Sequence, residues 1–71
     1  MYKDIIQILQ EYLSSEEIDG KTQLLNEYNL DEEDLINIAD AITENTGVII
    51  GADDIERCKT VEDICNICAN L

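Results

Sequence analysis

Seventeen acidic residues against four basic ones, with no histidine, give this 71-residue chain a formal charge of −13. Such a charge repels phosphate backbones, so a nucleic-acid partner is excluded and any charged partner is expected to be basic. A chain this short is expected to form one domain over residues 1–71, burying only about 60% of the surface its unfolded form exposes. Its composition is nonetheless 45% apolar, with twelve isoleucines and seven leucines, which is too rich in core formers for a disordered acidic tail.

In chain order the apolar residues point to helices joined by polar turns. Tyr2, Ile5, Ile6, Leu9, Tyr12 and Leu13 recur at three- and four-residue spacing, which predicts one stripe of a first helix over about residues 2–14. Lys3, Asp4, Gln7, Gln10 and Glu11 take its wet side. Ser14 to Lys21 carries the residues of a helix stop and a turn, with Ile18 dipping back to the core, and a further short turn is expected around Leu24 and Leu25. Asp31 is placed as an N-cap with Asp34 three residues on. Carboxylates in that first turn are each favoured by about 0.3–1 kcal/mol at the positive end of the helix. Leu35, Ile38, Ala39 and Ile42 then follow helical spacing until Asn45, Thr46 and Gly47 end the run. Val48, Ile49 and Ile50 are predicted to form an extended loop packed over the core, since no second strand is available to pair with them. Residues 52–58 have room for one or two helical turns. Thr60 is predicted to cap a last helix whose stripe is Val61, Ile64, Cys65, Cys68 and Leu71. The expected fold is therefore all-α: a small four-helix bundle of three main helices and a short third one, with Leu9, Leu35, Ile38, Ile42, Ile64 and Cys68 buried together.

The longest apolar run is three residues, so no membrane span and no membrane partner are expected, and without a basic N-terminal flank a cytoplasmic location is expected. An odd count of three cysteines fits reduced thiols there. Little else in the chain carries chemistry. Without histidine the usual Ser-His or Cys-His nucleophile cannot be built, so no enzyme activity and no catalytic residue are expected. Cys65-Asn66-Ile67-Cys68 spells a Cys-x-x-Cys, but both cysteines share the apolar stripe with Ile64, and a structural zinc site wants a fourth ligand. They are read as small core residues, with Cys58. Asp31 to Asp34 invites a calcium reading, yet with Asn29 as first ligand the sixth and twelfth positions are Asp34 and Asp40, where the loop needs glycine and glutamate. No metal site is expected. What stands out is asymmetry: between Lys21 and Arg57 there is no Lys or Arg, while ten acids fall in that stretch.

From Ile18 to Val61 the chain resembles an acyl carrier protein. Ile18-x5-Leu24 is similar to the family's long first loop, and Leu35-x2-Ile38-x2-Ala41-Ile42 to the core of its second helix. The stretch Ile50-Gly51-Ala52-Asp53-Asp54-Ile55-Glu56-Arg57-Cys58-Lys59-Thr60-Val61 resembles its Ile-Pro-Asp-Glu-x-Ala-Glu-Lys-Ile-x-Thr-Val. The resemblance also shows a departure. The family's Asp-Ser-Leu, whose serine accepts phosphopantetheine, aligns with Asp31-Glu32-Glu33, so the attachment position is Glu32, and the turn glycine before it is Asn29. On that basis phosphopantetheine is not expected as a cofactor.

What the resemblance leaves is docking. It implies that Asp31, Glu32, Glu33, Asp34, Asp40 and Glu44 meet a basic surface on a partner, such as an enzyme of acyl or peptide biosynthesis, with the chain itself a monomer. Glu32 puts a negative charge where a modified serine would carry its phosphodiester. Two alternatives stay open: a small acidic inhibitor or immunity protein that neutralises a basic toxin, and a working carrier with an atypical attachment site.

Overall fold

The computed structural model describes residues 2–70, with side chains from Lys3 onward. The expectations for the Tyr2 side chain and for Leu71 lie outside the described residues. Among the described residues all regular structure is helical: α1 Tyr2–Leu13, α2 Leu24–Glu27, α3 Glu32–Thr46, α4 Ala52–Glu56 and α5 Val61–Asn70. Three long helices and the short α4 form the expected bundle, and α2 is the single turn that Leu24 and Leu25 predict.

Local chemistry sets each boundary. Helix α1 stops because Ser14 turns left-handed at φ 53°, and the Ser15 N–H then donates to the Gln10 carbonyl at 3.0 Å, satisfying a group the helix end would otherwise orphan. Helix α3 starts in a reciprocal cap. The Asp34 N–H donates to Asp31 Oδ1 at 2.9 Å, and the Asp31 N–H donates to Asp34 Oδ2 at 3.1 Å. It ends at Gly47, left-handed at φ 78°, whose N–H donates to the Thr43 carbonyl. Thr60 caps α5 as predicted, its Oγ1 accepting from the Asp63 N–H. Two further N–H groups at that end, on Val61 and Glu62, donate to the carbonyls of Thr22 and Gly20 at 3.0 and 2.8 Å, so the loop after α1 is sealed onto the last helix.

The helices close over one set of branched side chains. Ile5, Leu9, Ile38, Ile42 and Val61 are fully buried, and Ile18, Leu35, Ile64, Cys65 and Cys68 are buried with them. Each large aliphatic side chain so placed is worth about 1.5–3 kcal/mol relative to exposure. Ile50 and Ile55 are buried in the same core.

Two expectations need correction at side-chain level. Val48 and Ile50 pack on the core, but Ile49 between them is 84% exposed, because an extended backbone sends alternate side chains to opposite sides. Tyr12, placed on the α1 stripe, is exposed at the edge of the α1–α3 contact rather than buried.

Candidate functional site

Helix α3 turns about 100° per residue. Leu35, Ile38, Ala39 and Ile42 fall on one side and are buried. The same rotation carries Glu33, Asn37, Asp40 and Glu44 to the opposite side, all four exposed, with Ile36 beside them 45% exposed. Glu33, Asp40 and Glu44 therefore form an acidic ridge along the outer face of the bundle's longest helix, and Glu32 stands exposed at its start.

The six acids singled out in the sequence do not share one environment. Asp31 and Asp34 are occupied by the cap that starts α3, and Asp34 is half-buried. The Tyr12 hydroxyl donates to Asp34 Oδ1 at 3.0 Å, and Asn37 Nδ2 donates to the Tyr12 oxygen at 3.3 Å. The Asp31 N–H, helped by the Tyr12 hydroxyl, holds the Asp34 carboxyl below the usual carboxylate range. Tyr12 thus ties α1 to the first turn of α3. Sequence reasoning missed it, because the two residues are 22 positions apart and nothing local to either signals the pairing.

Two clefts flank α3. One of about 570 Å³ lies against α1, with Ile8, Tyr12, Ala41 and Asn45 in its walls. The other, of about 420 Å³, lies between α2, α3 and α4 next to Glu32. Leu25, Leu30, Leu35 and Ala52 supply its apolar walls, and Asp31, Glu32, Asp53 and Glu56 its carboxylates. At the neighbouring α4 cap the Asp54 carboxylate accepts from the Gly51 N–H at 3.1 Å and pairs with Arg57 at 2.7 Å, which lowers its pKa, the Gly51 bond most.

The cysteines lie away from this face. Cys58, Cys65 and Cys68 are buried, unpaired by disulfide, in the core. Burial pushes the Cys58 and Cys65 thiols up to about 11, and raises that of Cys68. The Cys58 thiol donates to the Asp54 carbonyl at 3.2 Å. Thiols held in this way are protonated at neutral pH and are poor nucleophiles. Among the described residues no group of three or more His, Cys, Asp or Glu side chains is positioned to hold a metal ion. No described helix is long and apolar enough to cross a membrane.

The order of helices, the capped acidic start of α3 and the short α4 next to it together suit a carrier domain. A protein-family model described as a phosphopantetheine attachment site matches residues 3–68. The chain belongs to the phosphopantetheine-attachment family. No curated protein and no solved structure matches it. Membership agrees with the resemblance to acyl carrier proteins and with the helical bundle. The chain is an acyl-carrier-type module, and carrier proteins as a class are generally non-catalytic and work with biosynthetic enzymes.

Membership also corrects one expectation. The replacement of the attachment serine by Glu32 predicts no phosphopantetheine, whereas the matched family is the one that carries this prosthetic group. The chemistry of the donor set bears on where the group could be held. Attachment through a phosphodiester needs a hydroxyl, and the first turn of α3 presents Glu32, Glu33 and Asp34, three carboxylates and no hydroxyl. The residues of that turn do not fit the group, and no chemical step is derived through it.

Proposed function

We propose that residues 1–71 act as one non-catalytic, monomeric carrier-family module whose task is to dock, through the acidic face of α3, onto a basic surface of a partner enzyme or assembly. One observation carries this reading: Glu33, Asp40 and Glu44 line up on the exposed side of α3, with Glu32 at its head and no Lys or Arg from residue 22 to 56 to neutralise them. Complementary charge of this kind raises association rate and selects the partner, and it weakens with salt. Asp31 and Asp34 contribute to the same field, although their first role is to cap the helix. Ile36, exposed in the middle of the ridge, offers an apolar contact within the charged frame.

The experiment is a kinetic one. A partner captured at low salt is purified, and its association with the native chain is compared with that of a Glu33→Gln, Asp40→Asn, Glu44→Gln variant. The variant should associate about tenfold more slowly at low salt and approach the native rate at high salt. Equal rates at low salt would remove the ridge as the docking element.

A further inference from the structure

We propose that Cys65 and Cys68 form a thiol–disulfide switch in the last turn of α5, whose oxidation by a small disulfide such as oxidised glutathione unwinds that turn. The placement of the two thiols points to it. Both are buried on the apolar stripe of α5, three residues apart, with Asn66 exposed between them, and neither is cross-linked. Three residues along a regular helix separate two Cα atoms by about 5 Å, inside the span of roughly 4.4–6.8 Å that a disulfide bridges. The third thiol, Cys58, is engaged elsewhere, donating to the Asp54 carbonyl at 3.2 Å.

The bond cannot close while the helix stays regular. Side chains three positions apart hold their Cβ atoms about 5–6 Å from each other, whereas a disulfide needs about 3.8 Å. The difference is made up only if the turn gives up its helical hydrogen bonds. Cys68 lies in the last turn, since α5 ends at Asn70, and helix ends open at the lowest cost. Burial pushes the Cys65 thiol up to about 11 and raises that of Cys68, so the closed helix keeps both protonated and unreactive. Opening exposes them together. One thiolate attacks a glutathione sulfur, breaking the S–S bond of the small disulfide and releasing a glutathione thiolate. The second thiolate attacks the protein sulfur of the mixed disulfide and releases the other glutathione. The two thiol protons pass to the released glutathione thiolates, and the protein gives up two electrons to the small disulfide. A cross-link strained in this way is readily reduced, so the step runs in both directions. Helix α5 packs against α1 and α4, so the switch loosens that side of the bundle and leaves the ridge of α3 in place.

The test uses the native chain, fully reduced and without denaturant, in glutathione buffers of increasing oxidised fraction. Samples are alkylated and cleaved after Lys and Arg. Cleavage after Lys59 puts Cys65 and Cys68 in one peptide and leaves Cys58 in a dipeptide with Lys59. The peptide should appear unalkylated and lighter by about 2 Da, as the loss of two hydrogens requires. In the oxidised chain, amide exchange at Cys68, Ala69 and Asn70 should speed up about tenfold or more. Amide chemical shifts of Glu33, Asp40 and Glu44 should stay as they are, and dithiothreitol should restore the protection of α5. An alkylated peptide of unchanged backbone mass, glutathione adducts that never resolve to the internal disulfide, or a cross-link that carries the Cys58-Lys59 dipeptide would each overturn the proposal. So would an oxidised chain whose last turn is as protected as before. None of these outcomes bears on docking, which the ridge variant above tests by itself.

Discussion

Ile38 sits with no exposed surface where α3 faces the other helices. Its replacement by alanine removes buried methyl groups and leaves a void that so small a bundle can only partly collapse. The cost should be about 2–5 kcal/mol in urea unfolding, a large share of the stability available to a chain of this size. A loss under about 0.5 kcal/mol would mean that α3 presents another face to the core. Tyr12 is a subtler case. Its hydroxyl is one of the groups that keep the Asp34 carboxylate ionised, after the Asp31 N–H. A carboxyl whose folded pKa is depressed adds stability that is present above its unfolded value near 3.8 and is lost as pH falls through the folded value. Tyr12→Phe should therefore raise the Asp34 pKa in an NMR titration and flatten the acid limb of the stability curve, with little change in the core.

At the scale of elements, the ends of α3 illustrate how much of the architecture can be read from residue order. Asp31 with Asp34 announces the start, and Thr46-Gly47 the stop, since the chemistry of both ends lies within a few residues. Gly47 is left-handed at φ 78°, and a Cβ there would touch nothing within 4 Å, so Gly47→Ala should cost only the backbone term, about 1–2 kcal/mol. A neutral result would mean that the turn relaxes to another conformation. Periodicity likewise makes the buried faces of α1, α3 and α5 legible. The rest depends on contacts distant in sequence. The sealing of α5 by the carbonyls of Gly20 and Thr22, and the tie from Tyr12 to Asp34, join segments about 20 to 40 residues apart, and nothing local encodes them. Ile49 misleads for a different reason: three consecutive apolar residues look uniform in sequence, but extended geometry must turn the middle one outward. The acidic face was legible as a charge run. Its division into a free ridge and a spent cap was not, since that depends on which carboxylates the helix start consumes.

For the whole molecule the decisive quantity is the distance over which its charges act. The bundle measures 26 × 23 × 18 Å and carries a net charge of −13. At about 0.01 M salt the screening length is about 30 Å, longer than the molecule, so each carboxylate is repelled by nearly every other; at about 0.15 M it is about 8 Å, and only near neighbours interact. Unfolding moves the charges apart, so the repulsion is a cost of the folded state that salt relieves. The stabilising pairs will not reverse this: the Arg57–Asp54 bridge is solvent-exposed and contributes little that screening could remove. Melting temperature should consequently rise with sodium chloride, most steeply below about 0.15 M, where the screening length falls inside the dimensions of the bundle. About 1 kcal/mol of relieved repulsion corresponds to roughly 4–8 °C for a chain of this size. Chloride is the appropriate anion, because sulfate would also stabilise through exclusion from the surface and hide the electrostatic term. A melting temperature that stayed flat or fell over this range would show that the carboxylates are neutralised locally, and would weaken the case for a free acidic ridge along α3.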